Sequence, residues 1–481
     1  MENIVQNNLS ANKKKIVQHF NKIAAHRDTW LQRSRYYYRD IQQFMAFNIP
    51  TDSSVLEIGC GTGQLLHDLK PRKGAGIDIS PEMIKIAKAK FPDLEFNVMD
   101  GENLCLEGSF DYVILTDTLC YLEDIQQLFK QIKKVITPNS RVIITYHNFL
   151  WQPLLKMAEF IGLKMPQERL NWLDRGDFEN LLSLEGYDII KSGKRFLFPK
   201  YLPVLSHVVN RYIAFLPFFN RLCLTGYLIA RLLPHDGNLL KKSSVSIIIP
   251  ARNEQGNIEN AVKRIPNMGS HTEIIFIEGH SQDDTLKEIK RVADCFTTGY
   301  DITYDTQKGF GKGDAVRKGF DMARGDILMI LDADLTVPPE DLPKFYNAIA
   351  TGRGEFINGS RLVYPLENDS MRTLNILGNK FFSLMFTWLL GQRLKDTLCG
   401  TKVISRKNYE KIKANRLYFG EFDPFGDFDL IFGAAKLNLK IIELPIRYGA
   451  REYGDTNISR FRHGWLLLKM VAFAMNKIKF V

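Results

Sequence analysis

The chain has 481 residues, a length beyond what one hydrophobic core sustains, and this predicts two domains. Its hydrophobic content of 45% and charged content of 25% are ordinary for globular proteins and exclude a largely disordered or fibrous chain. The net charge of +10 suits nucleic acid, phosphate-bearing substrates or an anionic membrane surface. Six cysteines without a C-x-x-C pair argue against a zinc site and a disulfide framework.

The N-terminal run MENIVQNNLSANKKK lacks the apolar stretch of a signal peptide, so a cytoplasmic location is expected. Three apolar runs, 201–233, 376–390 and 465–481, are each interrupted by Lys or Arg before they reach the roughly 20 apolar residues that cross a bilayer. They are predicted to be core or membrane-surface helices. The cationic ends of the second run suit peripheral contact with the inner face of the cytoplasmic membrane.

Strand-like and helix-like segments alternate from Val55 to Ile144 and begin again at Val245. Between them, residues 234–244 read PHDGNLLKKSS, a composition typical of a surface linker. We therefore predict an α/β chain with a first domain at 1–233, a linker at 234–244 and a second domain at 245–481.

The first domain opens with VLEIGCGTGQLLHDL, a buried strand followed by a turn containing Gly59, Gly61 and Gly63 and then by helical spacing. Glycine allows a tight turn and the close approach of a ligand. The next strand ends in Asp78, placed to accept hydrogen bonds from ribose hydroxyls, and a third ends in Asp100, placed to receive an adenine amino group. The glycine spacing differs from G-x-G-x-x-G and no phosphate-binding lysine follows, which argues against NAD and ATP.

This pattern resembles class I S-adenosylmethionine-dependent methyltransferases over about residues 55–144 and implies their Rossmann-like fold and cofactor. The cofactor residues implied by the resemblance are Glu57, Gly59, Gly61 and Gly63 at the methionine end, Asp78 at the ribose, Ile79 and Met83 at the adenine face, Asp100 and Gly101 at the adenine edge, and Asp117 at the mouth of methyl transfer. His147, after the last clear strand, is a candidate general base or a structural histidine. An N-terminal aromatic segment contains Trp30, Tyr36, Tyr37 and Tyr38. We expect these side chains either to close over the cofactor or to pack in the core.

The second domain places Asp332 and Asp334 on alternate positions directly after the apolar strand in GDILMILDADL. Two carboxylates in this position can hold Mg²⁺ or Mn²⁺, and such a cation also bridges the diphosphate of a nucleotide sugar. Upstream, residues 308–314 read KGFGKGD, a basic glycine-rich loop suited to phosphate oxygens.

Together these motifs resemble family 2 glycosyltransferases with the GT-A fold, from Val245 to about Lys469, and most closely the polyprenyl-phosphate (dolichol-phosphate) sugar transferases. The resemblance implies a nucleoside-diphosphate sugar as donor, a lipid-phosphate or glycan acceptor, and inversion at the anomeric carbon. The residues it assigns are Pro250, Asn253 and Glu254 at the nucleoside, Lys308 and Lys312 at the diphosphate, Asp332 and Asp334 at the metal, Arg361, Arg372 and Arg451 at acceptor or phosphate, Asp396 before a glycine turn, and Asp427 and Asp429 beside the acceptor.

Two departures from that family affect the expected contacts. Glu278, with Gly279 after it, stands in the nucleotide-binding region where relatives carry paired aspartates, and this leaves the nucleotide base open. Thr456 is followed by Asn457 rather than by the lysine common in the family. A phosphate acceptor is already an anion and needs little base assistance, whereas a hydroxyl acceptor would need Asp429 or Asp427 as proton acceptor.

The leading hypothesis is a bifunctional enzyme with both transferase activities. One alternative keeps only the glycosyltransferase active and makes the first domain a cofactor-binding scaffold. Another is an RNA-binding methyltransferase, but the sequence has no helix-turn-helix, zinc-finger or RNA-recognition motif, so no nucleic-acid partner is expected. The sugar, the acceptor, the methylated atom and the oligomeric state stay open.

Overall fold

The computed structural model describes residues 9–167, 171–234, 242–296, 299–363, 373–420, 426, 428–447, 449, 453 and 460–481. For residues 373–377 and 460–463 it describes the backbone only. The chain divides into two compact units, Met1–Leu233 with Phe480–Val481, and Pro234–Lys479. Both are α/β, which confirms the predicted fold class. Most of the predicted linker, residues 235–241, lies outside the described residues.

The first unit is built on a seven-stranded sheet of order β3-β2-β1-β4-β5-β7-β6. The first five strands pair in parallel, and β7 runs antiparallel between β5 and β6. Its strands are β1 (Ser54–Ile58), β2 (Lys73–Asp78), β3 (Glu95–Val98), β4 (Tyr112–Thr116), β5 (Arg141–His147), β6 (Tyr187–Arg195) and β7 (Thr225–Leu232).

Helices cover both faces of this sheet, because the buried strands carry apolar side chains on both sides. On β4, Val113 and Leu115 belong to one core cluster, while Ile114 belongs to the other. The helices are α1 (Ala11–Ile23), α2 (Arg27–Arg33), α3 (Arg35–Asn48), α4 (Gln64–Leu69), α5 (Pro81–Lys90), α6 (Ile125–Ile132), α7 (Gln152–Phe160), α8 (Arg175–Leu184), α9 (Leu205–Arg211) and α10 (Pro217–Asn220).

The second unit has its own seven-stranded mixed sheet, of order β10-β9-β8-β11-β13-β12-β14. Strands β8 to β11 are parallel neighbours, β13 is antiparallel to both β11 and β12, and β14 is parallel to β12. The strands are β8 (Val245–Ala251), β9 (Thr272–Glu278), β10 (Asp301–Thr306), β11 (Ile327–Ile330), β12 (Phe356–Ser360), β13 (Lys402–Ser405) and β14 (Ile441–Pro445).

Two core clusters lie on opposite faces of the second sheet. Ile247 of β8 packs with Phe345 on one face, and the adjacent Ile248 packs with Val316 and Phe432 on the other. The helices are α11 (Ile258–Arg264), α12 (Thr285–Cys295), α13 (Lys312–Met322), α14 (Leu342–Ala350), α15 (Thr373–Leu390), α16 (Arg406–Ala414), α17 (Phe428–Lys436) and α18 (Arg460–Ala474).

The prediction that the apolar run 201–233 forms helices is wrong in part. The run is helical only in part: α9 and α10 occupy its first two thirds, and its last third is strand β7. The reason is packing on two sides, since Leu228 and Ile229 point into opposite cores, as strand periodicity requires. In the described part of the chain, no helix is both long and apolar enough to cross a membrane.

Candidate active sites

The cofactor residues predicted in the first unit gather at the carboxyl edge of its parallel strands. The turn after β1 has positive φ angles at Gly59, Gly61 and Gly63, of 77°, 54° and 78°. At Gly59, a Cβ would overlap the side chain of Thr118, so the turn admits only glycine there. This leaves a backbone concavity between β1 and β4 of the kind that accepts a ligand closely.

Glu57 is the most perturbed carboxyl group at this edge. Its side chain is 3% exposed, and Oε2 has no hydrogen-bond partner among the described residues. Burial raises the pKa of Glu57 to about 8; a backbone hydrogen bond from Leu66 opposes the rise, the neighbouring Asp78 carboxylate adds to it, and Arg27 opposes it. A buried carboxyl group with one unpartnered oxygen at a glycine turn fits the ammonium group of an amino-acid ligand, such as the methionine end of the predicted cofactor.

Asp78 is held by backbone amides at the end of β2. Its two oxygens accept hydrogen bonds from the N–H groups of Gly61 and Ser80, both at 2.9 Å. Burial raises the pKa of Asp78, although these amides and Arg27 oppose the rise. The predicted adenine-face residues follow directly: Ile79 is half-buried and Met83, on α5, is buried.

The N-terminal helices contact the cofactor edge at several points that the sequence did not reveal. Lys13 Nζ of α1 lies 2.5 Å from Asp100 Oδ2 and 2.7 Å from Glu102 Oε2. Ser80 Oγ donates to Asn21 Oδ1 at 2.6 Å, and Thr62 Oγ1 donates to Asp28 Oδ1 at 2.7 Å. Gly101, beside Asp100, is buried, and a Cβ there would press on Ile58 and Leu128.

Asp117 forms the centre of a polar cluster at the predicted mouth of methyl transfer. It follows β4 with a positive φ of 52°, and Tyr37 of α3 donates its hydroxyl to Asp117 Oδ2 at 2.6 Å. His147 Nδ1 at the end of β5 lies 3.3 Å from Asp117 Oδ1, an ion-pair distance without hydrogen-bond alignment. Burial would raise the pKa of Asp117, but His147 and Tyr37 outweigh it and lower the pKa.

A cavity next to this cluster is lined mainly by apolar and aromatic side chains. Asp117 and His147 supply polar groups to its wall, and the remaining lining includes Leu119, Tyr146 and Trp172. A carboxylate that faces one imidazole nitrogen leaves the other nitrogen to contact a bound molecule. The arrangement can therefore accept a proton from an acceptor held in the cavity.

In the second unit, Asp332 and Asp334 follow β11 as predicted. Lys312 Nζ, at the start of α13, lies 2.6 Å from Asp332 Oδ1. Burial would raise the pKa of Asp332, but Lys312, with Lys402 and Arg361, outweighs it and lowers the pKa. Asp334 Oδ1 accepts hydrogen bonds from the amide of Thr336 at 3.2 Å and from its hydroxyl at 2.8 Å.

Gly400 makes the contact between Lys312 and Asp332 possible. A Cβ at Gly400 would overlap both the Asp332 carboxylate and Lys312 Nζ. The sequence placed this glycine in the turn after Asp396 without linking it to the carboxylates. Gly400 lies 68 residues after Asp332 and 88 residues after Lys312, so only the fold brings the glycine to this pair.

The predicted nucleoside contacts lie around the ends of β8 and β9. Asn253 has a positive φ of 56°, and its N–H donates to Ser281 Oγ at 3.1 Å. The Ser281 N–H donates to Glu278 Oε1 at 2.5 Å, so one serine joins the two loops. Glu254 is buried and accepts from the Asn257 side chain at 2.7 Å, while Pro250 is half-buried within β8.

The remaining predicted charges fall into two ion-pair groups. Arg361 forms a two-pronged pair with Asp396, with distances of 2.7 and 2.8 Å, and Asp396 is 2% exposed. Burial would raise the pKa of Asp396, but Arg361 outweighs it and lowers the pKa. Asp429 of α17 pairs with two arginines that the sequence did not single out, Arg317 at 3.2 Å and Arg416 at 3.4 Å.

Several predicted residues are not joined to these groups. Lys308 is exposed in the loop before α13. The predicted residues that lie outside the described part of the chain are Arg372, Asp427, Arg451, Thr456 and Asn457.

Two families match the chain, one in each unit. Residues 29–192 match a family described as a methyltransferase domain, and residues 246–413 match glycosyl transferase family 2. The two matches agree with the two resemblances read from the sequence.

Curated relatives match the second unit. A dolichol-phosphate mannosyltransferase of Pyrococcus furiosus is 28% identical over 235 residues, which cover 47% of this chain and 64% of the relative. A low-salt glycan biosynthesis hexosyltransferase of Haloferax volcanii is 28% identical over 46% of this chain and 51% of its own length. The chain thus spans between half and two thirds of these relatives. A UDP-N-acetylglucosamine–dolichyl-phosphate N-acetylglucosaminyltransferase of Methanococcus voltae is 26% identical over 47% of this chain and 96% of the relative.

Two solved structures are similar to parts of this chain. A S-adenosylmethionine-dependent methyltransferase of Thermotoga maritima covers 45% of this chain and 98% of its own, with 17% identity and a TM-score of 0.35. Glucosyl-3-phosphoglycerate synthase of Mycobacterium tuberculosis, in complex with UDP, covers 49% of this chain and 80% of its own, with 19% identity and a TM-score of 0.36. On the family matches, the chain contains a methyltransferase domain in its first unit and a family 2 glycosyl transferase domain in its second.

Proposed function

We propose that the chain is a bifunctional enzyme whose second unit transfers a sugar from a nucleoside diphosphate to a polyprenyl-phosphate acceptor, with inversion, and whose first unit methylates an acceptor with S-adenosylmethionine. For sugar transfer, the observation that carries the proposal is the meeting of Lys312 with Asp332 beside Asp334 at the end of β11. A basic group next to a pair of acids suits a diphosphate and a divalent cation together.

The acids at β11 fit a cation that is shared with the donor. Mg²⁺ is commonly held by one or two carboxylates with substrate phosphates completing its shell, and Asp332 and Asp334 are both half-buried. The described residues contain no group of three or more His, Cys, Asp or Glu side chains that could hold a metal by themselves. A cation there would neutralise the charge of the leaving diphosphate.

The acceptor we propose is a phosphate monoester. Two relatives have dolichol phosphate or dolichyl phosphate in their names, which supports a lipid-phosphate acceptor here. Asp429 is engaged by Arg317 and Arg416, and this favours an acceptor that needs no protein base. A phosphate oxygen is already anionic near neutral pH, and cationic side chains can align it for in-line attack on the anomeric carbon.

For methyl transfer, the proposal is carried by Glu57 and by the Asp117–His147 cluster. Glu57 would bind the ammonium of the cofactor through its unpartnered Oε2, and Asp78 would bind the ribose. The cofactor would supply an electrophilic methyl group. His147, whose Nδ1 faces Asp117, would accept the proton of an acceptor hydroxyl or amine, and Tyr37 would hold Asp117 in place.

Calorimetric titration tests the proposal. S-adenosylhomocysteine, UDP and GDP are titrated separately into the full chain, with and without Mn²⁺. We expect one site for the homocysteine analogue, independent of metal, and one metal-dependent site for a single nucleotide. The variant Asp334→Ala should lose the nucleotide site and keep the other. Absence of homocysteine binding would reduce the first unit to a scaffold, and equal loss of both ligands in the variant would refute two separate sites.

A further inference from the structure

Exposed apolar side chains are concentrated on the methyltransferase unit, in two segments. The described residues expose 29 large hydrophobic side chains, of which seven lie in 149–163 and ten in 201–222. Phe160 is 91% exposed, Val204 77% and Phe218 70%. Isolated exposed apolar residues are normal, but a dense group of them marks an interaction surface.

The two segments adjoin each other where the first begins and the second ends. The Asn148 side chain donates to the carbonyl of Cys223 at 2.8 Å and to that of Arg221 at 3.1 Å. The Trp151 indole donates to the carbonyl of Leu222 at 2.8 Å. We call residues 149–163 and 201–222 the apolar rim.

The apolar rim lies at the same sheet edge as the candidate methyl-transfer site. Its first segment begins two residues after His147, the last residue of β5. Its second segment connects β6 to β7, and Thr225 at the start of β7 pairs with both His147 and Arg195. A molecule bound by the rim is therefore close to the mouth of the cavity that His147 lines.

The charge of the rim identifies its partner. In the first segment the charges of Lys156 and Glu159 balance each other. In contrast, the sequence contains no Asp or Glu between Lys191 and Leu233, and Lys200, Arg211 and Arg221 are exposed in the second segment or directly before it. A second copy of this chain would bring like charges together, whereas an anionic lipid surface complements them. Aromatic residues beside cations, as with Tyr212 next to Arg211, are typical of segments that rest at the interface of a bilayer.

We propose that the apolar rim docks the methyltransferase unit onto an anionic lipid surface. The rim inserts apolar side chains among the headgroups while Lys200, Arg211 and Arg221 contact lipid phosphates. This docking is separate from any contact made by the glycosyltransferase unit and needs neither activity.

Vesicle co-sedimentation of the full chain tests the proposal. Vesicles of phosphatidylcholine alone are compared with an equal mixture of phosphatidylcholine and phosphatidylglycerol, at low and high salt. We expect binding to the mixed vesicles that weakens with salt, and a loss of about tenfold or more in the double variant Phe160→Asp/Phe218→Asp. Leu184→Asp is the matched control, because Leu184 is 63% exposed on the same unit outside the rim.

Two further measurements keep the result decisive. The first measurement checks that the double variant is folded: titration with S-adenosylhomocysteine if the wild type binds this ligand, and thermal unfolding otherwise. If the double variant is not folded, Val204→Asp is used in its place. Lys200→Glu/Arg211→Glu should remove the preference for phosphatidylglycerol. Equal vesicle binding by the wild type and the rim variants would overturn the proposal. So would light scattering that shows a dimer for the wild type and a monomer for the rim variants. Failure of either catalytic proposal would leave these readouts unchanged.

Discussion

Glu57 gives the sharpest test of the methyltransferase site, because its ionisation must change when a cationic ligand binds. Burial raises its pKa to about 8, so at pH 7 about one carboxyl group in ten is ionised. A bound ammonium requires the ionised form. Each pH unit below about 8 then costs about 1.4 kcal/mol, which is about tenfold in affinity. We expect the association constant for S-adenosylhomocysteine to rise about tenfold between pH 6 and pH 7 and to level off above about pH 8.

The assay is calorimetric titration at several pH values in two buffers of different ionisation enthalpy. Near pH 7, binding should release close to one proton, and the two buffers should give different apparent enthalpies. The variant Glu57→Gln should bind more weakly at pH 8, show no proton release and lose most of the pH dependence. Nucleotide binding by the other unit is the internal control. A wild-type affinity that does not change with pH, without proton release, would refute the assignment of Glu57 to the ammonium.

The raised pKa of Glu57 also affects stability: ligand affinity is expected to rise with pH, whereas the stability of the unit is expected to fall. The pKa of Glu57 lies above its ordinary value of 4.5, so ionisation penalises the folded state. The contribution of protonated Glu57 to the free energy of unfolding is fully present below about pH 4.5 and is lost as the pH rises toward about 8. Glu57→Gln should therefore raise the midpoint of thermal unfolding at pH 8 while lowering ligand affinity. A general structural defect would lower both.

Three further predictions follow from the sites. His147→Ala should reduce methyl transfer by about 10²- to 10⁴-fold and leave the affinity for S-adenosylhomocysteine unchanged, because His147 meets the acceptor; a matching loss of cofactor affinity would contradict this. Arg361→Ala should destabilise the glycosyltransferase unit by about 3–5 kcal/mol in urea unfolding, since it leaves Asp396 buried without its partner, and Asp396→Asn in the same chain should recover part of the loss. Because Arg361 lowers the pKa of Asp396 below its ordinary 3.8, this contribution is present at neutral pH and is lost only as the pH falls below about 4. Gly400→Ala should abolish metal-dependent nucleotide binding, whereas Gly378→Ala, where a Cβ meets open space, should not; equal behaviour of the two variants would exclude the steric argument.

The parts of the fold that could be predicted are those with local signals. Parallel strands buried on both faces read as unbroken apolar runs, as in VSIIIP, and a glycine turn follows β1 within the same short segment. Acids at strand ends are also local, so Asp78, Asp332 and Asp334 could be named from the sequence. Strand β7 could not, because its apolar run reads equally well as a helix until its partners β5 and β6 are known.

The partners of the site residues could not be predicted, because each comes from a distant part of the chain. Arg317 and Asp429 are 112 residues apart, and Lys13 and Asp100 are 87 apart. A lysine in the N-terminal run KKK carries no signal that distinguishes it from a solvated charge. The sequence also could not show that Glu57 Oε2 has no hydrogen-bond partner among the described residues, because that depends on which groups reach it in the folded unit.

The contacts of the N-terminal helices bear directly on how the cofactor site must work. Asp100 Oδ1 accepts the amide of Glu102 at 3.0 Å, and Oδ2 is held by Lys13 at 2.5 Å. An adenine amino group that approaches Asp100 from the side of Oδ2 would meet Lys13 there. Since α1 also holds Ser80 through Asn21, a ligand that displaces Lys13 disturbs a helix with more than one anchor. If the cofactor binds Asp100 as proposed and displaces Lys13, the affinity of the full chain for the cofactor is reduced by the free energy of the Lys13 contacts that are lost.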